Sequence, residues 1–224
     1  MAEDMLRTIN VSRCFATPSG QFWALHDINM AAPEGKLTIL KGRSGSGKTT
    51  LMNILGALDK PTGGNVLLAG EDIVKLDERK RGLIRRKSIG YVFQSVALIP
   101  MMSAYENVEY ALRLAGYKGD RRERASECLR MVGLAQRMNH MPQEMSGGEQ
   151  QRVAIARAIA HKPKVIFADE PTAELDTATG LQVVKIFKNL CAGEHITIVM
   201  TTHDTGLMEI GDMVYELQDG EIVG

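Results

Sequence analysis

Short apolar runs alternate along this chain with stretches of helical spacing, the pattern of an α/β fold with a largely parallel sheet. Leu37-Thr38-Ile39-Leu40 reads as a buried strand, and Ile89 to Phe93, Val165 to Ala168 and Ile196 to Thr201 read the same way. Met213 to Leu217 and Glu221 to Val223, joined by Gln218-Asp219-Gly220, predict a closing hairpin. Before Met30 apolar and polar residues alternate more loosely, as in an antiparallel sheet with one wet face. Between Ser95 and about Lys162 the strand signal disappears. There Glu106 to Ala115, Arg121 to Val132 and Gly148 to Ala160 carry helical periodicity. The pattern predicts one domain over residues 1–224, with a core and β subdomain from 1–94 and 163–224 and an inserted α-helical subdomain at 95–162.

Composition narrows the function. Hydrophobic residues make up 44% and charged residues 24%, an ordinary globular balance. Lys plus Arg and Asp plus Glu both total 27, giving a net charge of zero. Nucleic-acid binders carry a basic excess because phosphate neutralisation supplies most of their affinity, so no nucleic-acid partner is expected. The cluster Arg79-Lys80-Arg81 with Arg85-Arg86-Lys87 reads as a solvated helix face. Cys14, Cys128 and Cys191 lie far apart without metal-ligand spacing and read as reduced, partly buried thiols. The start, Met1-Ala2-Glu3-Asp4, is acidic where a signal peptide is basic. The longest apolar run, Val96 to Met102, is too short to cross a bilayer and contains Pro100. Action at a membrane would need a spanning partner chain.

Two constellations carry chemistry. Gly42-Arg43-Ser44-Gly45-Ser46-Gly47-Lys48-Thr49 fits G-x-x-x-x-G-K-[ST], directly after a predicted strand and before a helical run from Thr50 to Ala57. Its glycines let backbone N–H groups turn inward around phosphate oxygens, and the helix N-terminus adds partial positive charge. Lys48 would reach the β- and γ-phosphates of a nucleoside triphosphate, and the Thr49 hydroxyl would ligate Mg²⁺. The second constellation is the apolar strand Val165-Ile166-Phe167-Ala168 ending in Asp169-Glu170. One acid beside a phosphate loop can hold Mg²⁺, and the other can orient or deprotonate water.

Met145-Ser146-Gly147-Gly148-Glu149-Gln150-Gln151-Arg152 resembles the signature motif of ABC (ATP-binding cassette) ATPases, in the expected order between the phosphate loop and Asp169. The other family marks follow: Gln94 after Tyr91-Val92-Phe93, Ala173-Glu174-Leu175-Asp176, and His203 after Val199-Met200-Thr201-Thr202. The resemblance spans essentially the whole chain and implies a P-loop NTPase core with β and helical subdomains. It is nearest to the group of macrolide-exporter, lipoprotein-release and haem- and peptide-antibiotic-exporter ATPases. Leu51-Met52-Asn53-Ile54-Leu55-Gly56, Leu58-Asp59-Lys60-Pro61-Thr62, Glu106-Asn107-Val108 and Asp219-Gly220-Glu221-Ile222-Val223 carry that likeness. Met145, Glu149, Ala173-Glu174 and Phe15 depart from the commoner family residues, and none removes a catalytic group.

The resemblance implies a transporter ATPase using ATP and Mg²⁺, with a non-transport membrane regulator as the alternative. Catalytic roles fall to Glu170, His203 and Gln94, and metal ligation to Thr49, Gln94 and Asp169. ATP binding falls to Phe15 on adenine and to Gly42, Arg43, Ser44, Gly45, Ser46, Gly47, Lys48, Thr49 and Thr50 on the phosphates. Ser146, Gly147, Gly148, Glu149 and Asp176 would meet the ATP held by the opposite subunit of a homodimer. An integral membrane permease is the implied second partner, which places the chain at the cytoplasmic face of the membrane. The segment from Ser95 to Asn107 is expected to dock it.

Overall fold

The computed structural model describes residues 4–18 and 20–224; Met1 to Glu3 of the acidic start and Ser19 lie outside them. In chain order the strands are β1 Asp4–Thr17, β2 Gly20–Ile28, β3 Ala31–Pro33 and β4 Leu37–Lys41. Helix α1 is Lys48–Leu55, followed by β5 Gly63–Leu68, β6 Glu71–Asp72, α2 Glu78–Ser88 and β7 Ile89–Val92. The helical stretch holds α3 Ala104–Ala115, α4 Arg121–Met131 and α5 Gly147–Ile159. The chain closes through β8 Val165–Ala168, α6 Thr177–Glu194, β9 Thr197–Thr202, β10 Met213–Gln218 and β11 Glu221–Ile222.

Two sheets form among the described residues. One has the order β11-β10-β4-β9-β8-β7, parallel throughout except for the antiparallel β11. The other is antiparallel, β2-β1-β5-β6, with β3 also pairing β1. The apolar runs of the parallel sheet look continuous because alternate residues feed two cores. Ile39, Ile166, Ala168, Ile198 and Met200 face a cluster shared with α3 to α6, including Val108, Leu129, Ile155 and Phe187. Leu40, Val165, Phe167 and Val199 face the other way, onto Leu51, Ile54 and Leu55 of α1 and onto Leu6, Leu25 and Val66 of the antiparallel sheet.

The predicted α/β class, mostly parallel sheet, antiparallel N-terminal sheet and closing hairpin are present. Element ends differ: β7 stops at Val92, and the first helix starts at Lys48 instead of Thr50. β5, β6 and α6 went unread; α6 opens on Thr177-Ala178-Thr179-Gly180, whose two threonines and glycine are weak helix formers that mask its apolar stripe. The basic cluster needs correction. Arg81 on α2 is 5% exposed and donates to the carbonyls of Ala57 at 2.7 Å and Asp59 at 2.6 Å. Arg85 also donates to Ala57 O at 2.7 Å. One side of this helix therefore holds the turn that follows the carbonyl end of α1, and the rest is solvated. The three cysteines are free; Cys128 and Cys191 are buried, and burial pushes both thiols up to about 12.

No helix among the described residues is long and apolar enough to cross a membrane. The segment after β7 is held internally: Asn107 accepts Ile99 N–H at 2.8 Å and donates to the carbonyls of Ile99, Met102 and Ser103. Arg157 donates to Ala97 O at 2.5 Å and Val96 O at 3.2 Å. Leu98 packs on the core, whereas Met101 is 87% exposed.

Candidate active site

The phosphate loop runs from β4, in the middle of the parallel sheet, into α1. Gly42, Gly45 and Gly47 take φ of 155°, 82° and 103°, values open to glycine because it has no Cβ. A Cβ at Gly42 would also collide with the Leu217 carbonyl. The hairpin of β10 and β11 closes on the loop from outside: Gly220 N–H donates to Ser46 O at 3.1 Å, and its carbonyl accepts His26 N–H at 2.8 Å. A cleft of about 360 Å³ lies here, lined by Gly42 to Ser46 and by Glu216 to Asp219. Lys48 is 5% exposed, donating to Gly42 O at 2.8 Å and Arg43 O at 3.0 Å. Among the described residues the buried Ser46 hydroxyl has no hydrogen-bond partner, as expected of a group aimed at a ligand.

The strand-end acids meet this loop. Thr49 Oγ1 donates to Asp169 Oδ2 at 3.1 Å, and Thr201 Oγ1 donates to Asp169 Oδ1 at 2.6 Å. Glu170 has φ of 43°, a left-handed conformation that costs a non-glycine residue about 1–2 kcal/mol. Its N–H donates to Thr201 Oγ1 at 2.7 Å and its carbonyl accepts Ala173 N–H at 3.1 Å, which hold it there. The Glu170 carboxylate lies 3.6 Å from Lys48 Nζ and 3.5 Å from His203 Nδ1. Lys48, Thr49, Asp169, Glu170 and His203 thus form one cluster at the carboxyl ends of β4, β8 and β9, the end where parallel sheets bind ligands. Gln94 is exposed just past β7 and makes no hydrogen bond to this cluster among the described residues. Thr50 is half-buried on α1.

Phe15 lies on β1 opposite Phe22 of β2, half-buried. The Arg13 guanidinium stacks 4.3 Å above its ring and is fixed by Asp59 through bonds of 2.9 and 3.1 Å. One ring face is thereby occupied, and an adenine would take the other.

The second glycine-rich helix start, on α5, opens elsewhere. Its cleft of about 440 Å³ is lined by Ser146 to Glu149, Arg152, Glu174 to Asp176 and Thr179. Ser146 and Glu149 form a reciprocal capping box, and the Asp176 carboxylate caps α6 through Ala178 N, Thr179 N and Thr179 Oγ1. Both acids are held below the usual carboxylate range, Glu149 chiefly by the Ser146 N–H and Asp176 chiefly by the Thr179 hydroxyl. Gly148 is required by packing, since a Cβ there would meet Thr179 Cγ2 at 2.5 Å. At Gly147 a Cβ would meet only Leu175 Cδ2 at 3.9 Å, so the chain itself does not demand that glycine.

Sequence reasoning missed Thr201, which ties both acids together, and Arg13, which backs Phe15. The signal for Thr201 was a hydroxyl inside an otherwise buried strand, immediately before Thr202-His203.

The profile of the ABC transporter family matches residues 25–173. An uncharacterised ABC transporter ATP-binding protein of Methanocaldococcus jannaschii is 44% identical over 220 residues, covering 98% of each chain. The macrolide export ATP-binding/permease protein MacB of Bordetella avium is 41% identical over 224 residues, 100% of this chain but 34% of that one. Among solved structures, the dimeric post-hydrolysis state of the ATP-binding cassette MJ0796 bound to ADP and Pi is similar with a TM-score of 0.89. It is 41% identical, covering 98% of this chain and 97% of that one.

Proposed function

The chain belongs to the ABC transporter family as an ATP-binding, ATP-hydrolysing subunit, and we propose that it works as a homodimer closed over two ATP molecules and coupled to a membrane permease. One observation carries the dimer. The two glycine-rich helix starts border clefts that share no lining residue, and Asp169 and Glu170 meet Lys48 and Thr49 at the start of α1, away from the start of α5. Gly147 is kept free of a Cβ where the chain's own packing has no use for it. A phosphate of ATP seated on a second copy would use that space. The solved dimer of the MJ0796 cassette supports this arrangement.

In this reading the inward N–H groups of Gly42 to Thr49 and the Lys48 ammonium bind the phosphates. The Thr49 hydroxyl and Asp169 carboxylate, 3.1 Å apart, fit a small hard cation completed by phosphate oxygens and water. Mg²⁺ bound there would neutralise charge developing on the transferred phosphoryl group. Glu170 takes a proton from the attacking water, and His203, beside its carboxylate, donates to the γ-phosphate. Gln94 would join the metal shell and report the permease to the site. Phe15 stacks on adenine.

The relatives named ATP-binding/permease proteins support the permease partner, because this chain matches about a third of such a protein. In this reading the chain sits peripherally at the cytoplasmic face of the membrane. Beside the segment from Ser95 to Asn107 lies a cleft of about 530 Å³ whose lining includes Tyr91, Phe93, Ala97 and Leu114. A permease segment docks there, and the exposed Met101 of the Ser95 to Asn107 segment adds apolar surface.

Mixing inactive chains tests the composite site. Lys48→Ala removes the charge on the β/γ-phosphates, and Ser146→Arg fills the second helix start. Each alone is expected to be inactive, and their mixture to recover one working site per heterodimer. No recovery, together with a strictly linear dependence of rate on protein concentration, would favour a self-contained monomeric site.

A further inference from the structure

The second cleft presents a charge problem. It is lined by three carboxylates, Glu149, Glu174 and Asp176, against one cation, Arg152, yet it is read above as receiving a polyanionic phosphate. Asp176 is committed to the N-terminus of α6 by its three hydrogen bonds, which spread its charge. Glu149 is different. Its Oε2 accepts the Ser146 N–H at 2.9 Å and hydroxyl at 3.1 Å, so this carboxylate holds the very group offered to the phosphate. Its Oε1 is met 3.1 Å away by Nε of Arg137, a residue of the loop between α4 and α5 outside the cleft lining.

We propose that Arg137 is a positioning residue of the second half-site: it orients and neutralises Glu149, so that the Ser146–Gly148 helix start can face a γ-phosphate without a bare carboxylate behind it. The proposal rests on the composite-site reading above. The physical argument is Coulombic. A carboxylate within one helical turn of a bound phosphate repels it, and a guanidinium on its far oxygen cancels most of that field. The bridge also leaves Oε2 alone to grip Ser146, which fixes the hydroxyl orientation. Arg137 is suited to this because its side chain is 46% exposed and, among the described residues, beyond Glu149 it meets only His140 Nε2, at 3.0 Å. The depressed pKa of Glu149 agrees with an acid that stays charged through the cycle.

The charge logic gives a sharp test in the full chain. R137Q is expected to raise the KM for ATP and the protein concentration at half-maximal rate by about tenfold, with melting temperature unchanged. R137K, which keeps the charge but loses the planar guanidinium, should recover most of the effect. The deciding variant is the pair. Glu149→Gln removes the charge that Arg137 offsets, so adding R137Q to E149Q should change KM less than twofold. A tenfold loss that persists in the E149Q background would overturn the proposal, as would a wild-type KM in R137Q. A fall in rate that tracks a fall in melting temperature in both backgrounds would make Arg137 purely structural and overturn it too. If Ser146→Arg chains hydrolyse ATP normally, the composite site itself fails. If Ser146→Arg is inactive and R137Q is silent, only the role of Arg137 fails.

Discussion

The Thr201 hydroxyl donates to Asp169 Oδ1 over 2.6 Å. Its oxygen also accepts the Glu170 N–H over 2.7 Å, so one side chain of β9 fixes both acids at the end of β8. A single oxygen thereby sets the spacing between Asp169 and Glu170. It also offsets the strained φ of Glu170.

Thr201→Val keeps the shape and removes that oxygen. It leaves the Glu170 N–H unpaired in a part-buried place, at about 1–3 kcal/mol. We expect kcat to fall about tenfold or more as Glu170 drifts from its position, and Thr201→Ser to restore most of it. Steady-state ATPase rates and urea unfolding of the three proteins check this; a Val variant with full kcat would remove Thr201 from the site.

Glu170→Gln preserves volume but loses the base. General-base removal costs about 10²–10⁴-fold in rate, so hydrolysis should nearly stop while ATP binding survives. The variant should accumulate as an ATP-bound dimer, visible by size exclusion. Wild-type turnover would mean that Glu170 takes no proton.

Much of this site was legible in the sequence because its chemistry is local. Gly42 to Thr49 and Asp169-Glu170 are contiguous, and each follows an apolar run that places it at a strand end. Contacts closed by topology were not legible. Thr201 reaches Asp169 across 32 positions, Arg13 reaches Asp59 across 46, and neither has a spacing rule. The basic cluster on α2 misled for the same reason. Its charge pattern is that of a wet helix, and only the fold brings the carbonyl end of α1 to Arg81. Helix α6 escaped notice because its first turn, Thr177-Ala178-Thr179-Gly180, is a poor helix former that Asp176 rescues by capping.

Arg81→Met should therefore destabilise the fold despite keeping the aliphatic stem. It leaves the Asp59 carbonyl without its charged donor and the Ala57 carbonyl with Arg85 alone, a loss of about 2–4 kcal/mol. At this chain length that corresponds to a fall in melting temperature of about 4–16 °C. Arg79→Ala, on the exposed side of the same helix, should stay within about 0.5 kcal/mol of the parent. Equal, small effects from both substitutions would return the whole cluster to a solvated face.

The last prediction concerns acid. Asp212 clamps the start of β4 to α6: Oδ2 accepts Leu37 N–H at 2.9 Å, and Oδ1 accepts the Lys188 ammonium at 2.8 Å. Burial pushes this carboxyl up, but the hydrogen bonds from Lys188 and Leu37 pull harder, and its pKa ends below the ordinary value. A folded pKa below the unfolded one means that the folded state gains from the charged form. That gain is complete above the unfolded pKa of about 3.9 and is lost as pH falls through the folded value. The stability difference between the parent and Asp212→Asn should accordingly be flat from about pH 6 to 8 and shrink below about pH 4. Other carboxylates, Asp72, Glu109 and Glu127 among them, are also held below their ordinary values by their hydrogen-bond partners, so the difference and not the absolute stability is the quantity to follow. Lys188→Met should flatten the low-pH slope by removing the partner that holds the charge. Because β4 leads directly into Gly42, the clamp also sets where the phosphate loop begins. Acid-weakened ATP binding should then appear in the parent before global unfolding, measured by nucleotide titration alongside urea melts. A difference that grows as pH drops would reverse the sign and show that Asp212 is stabilised in its neutral form.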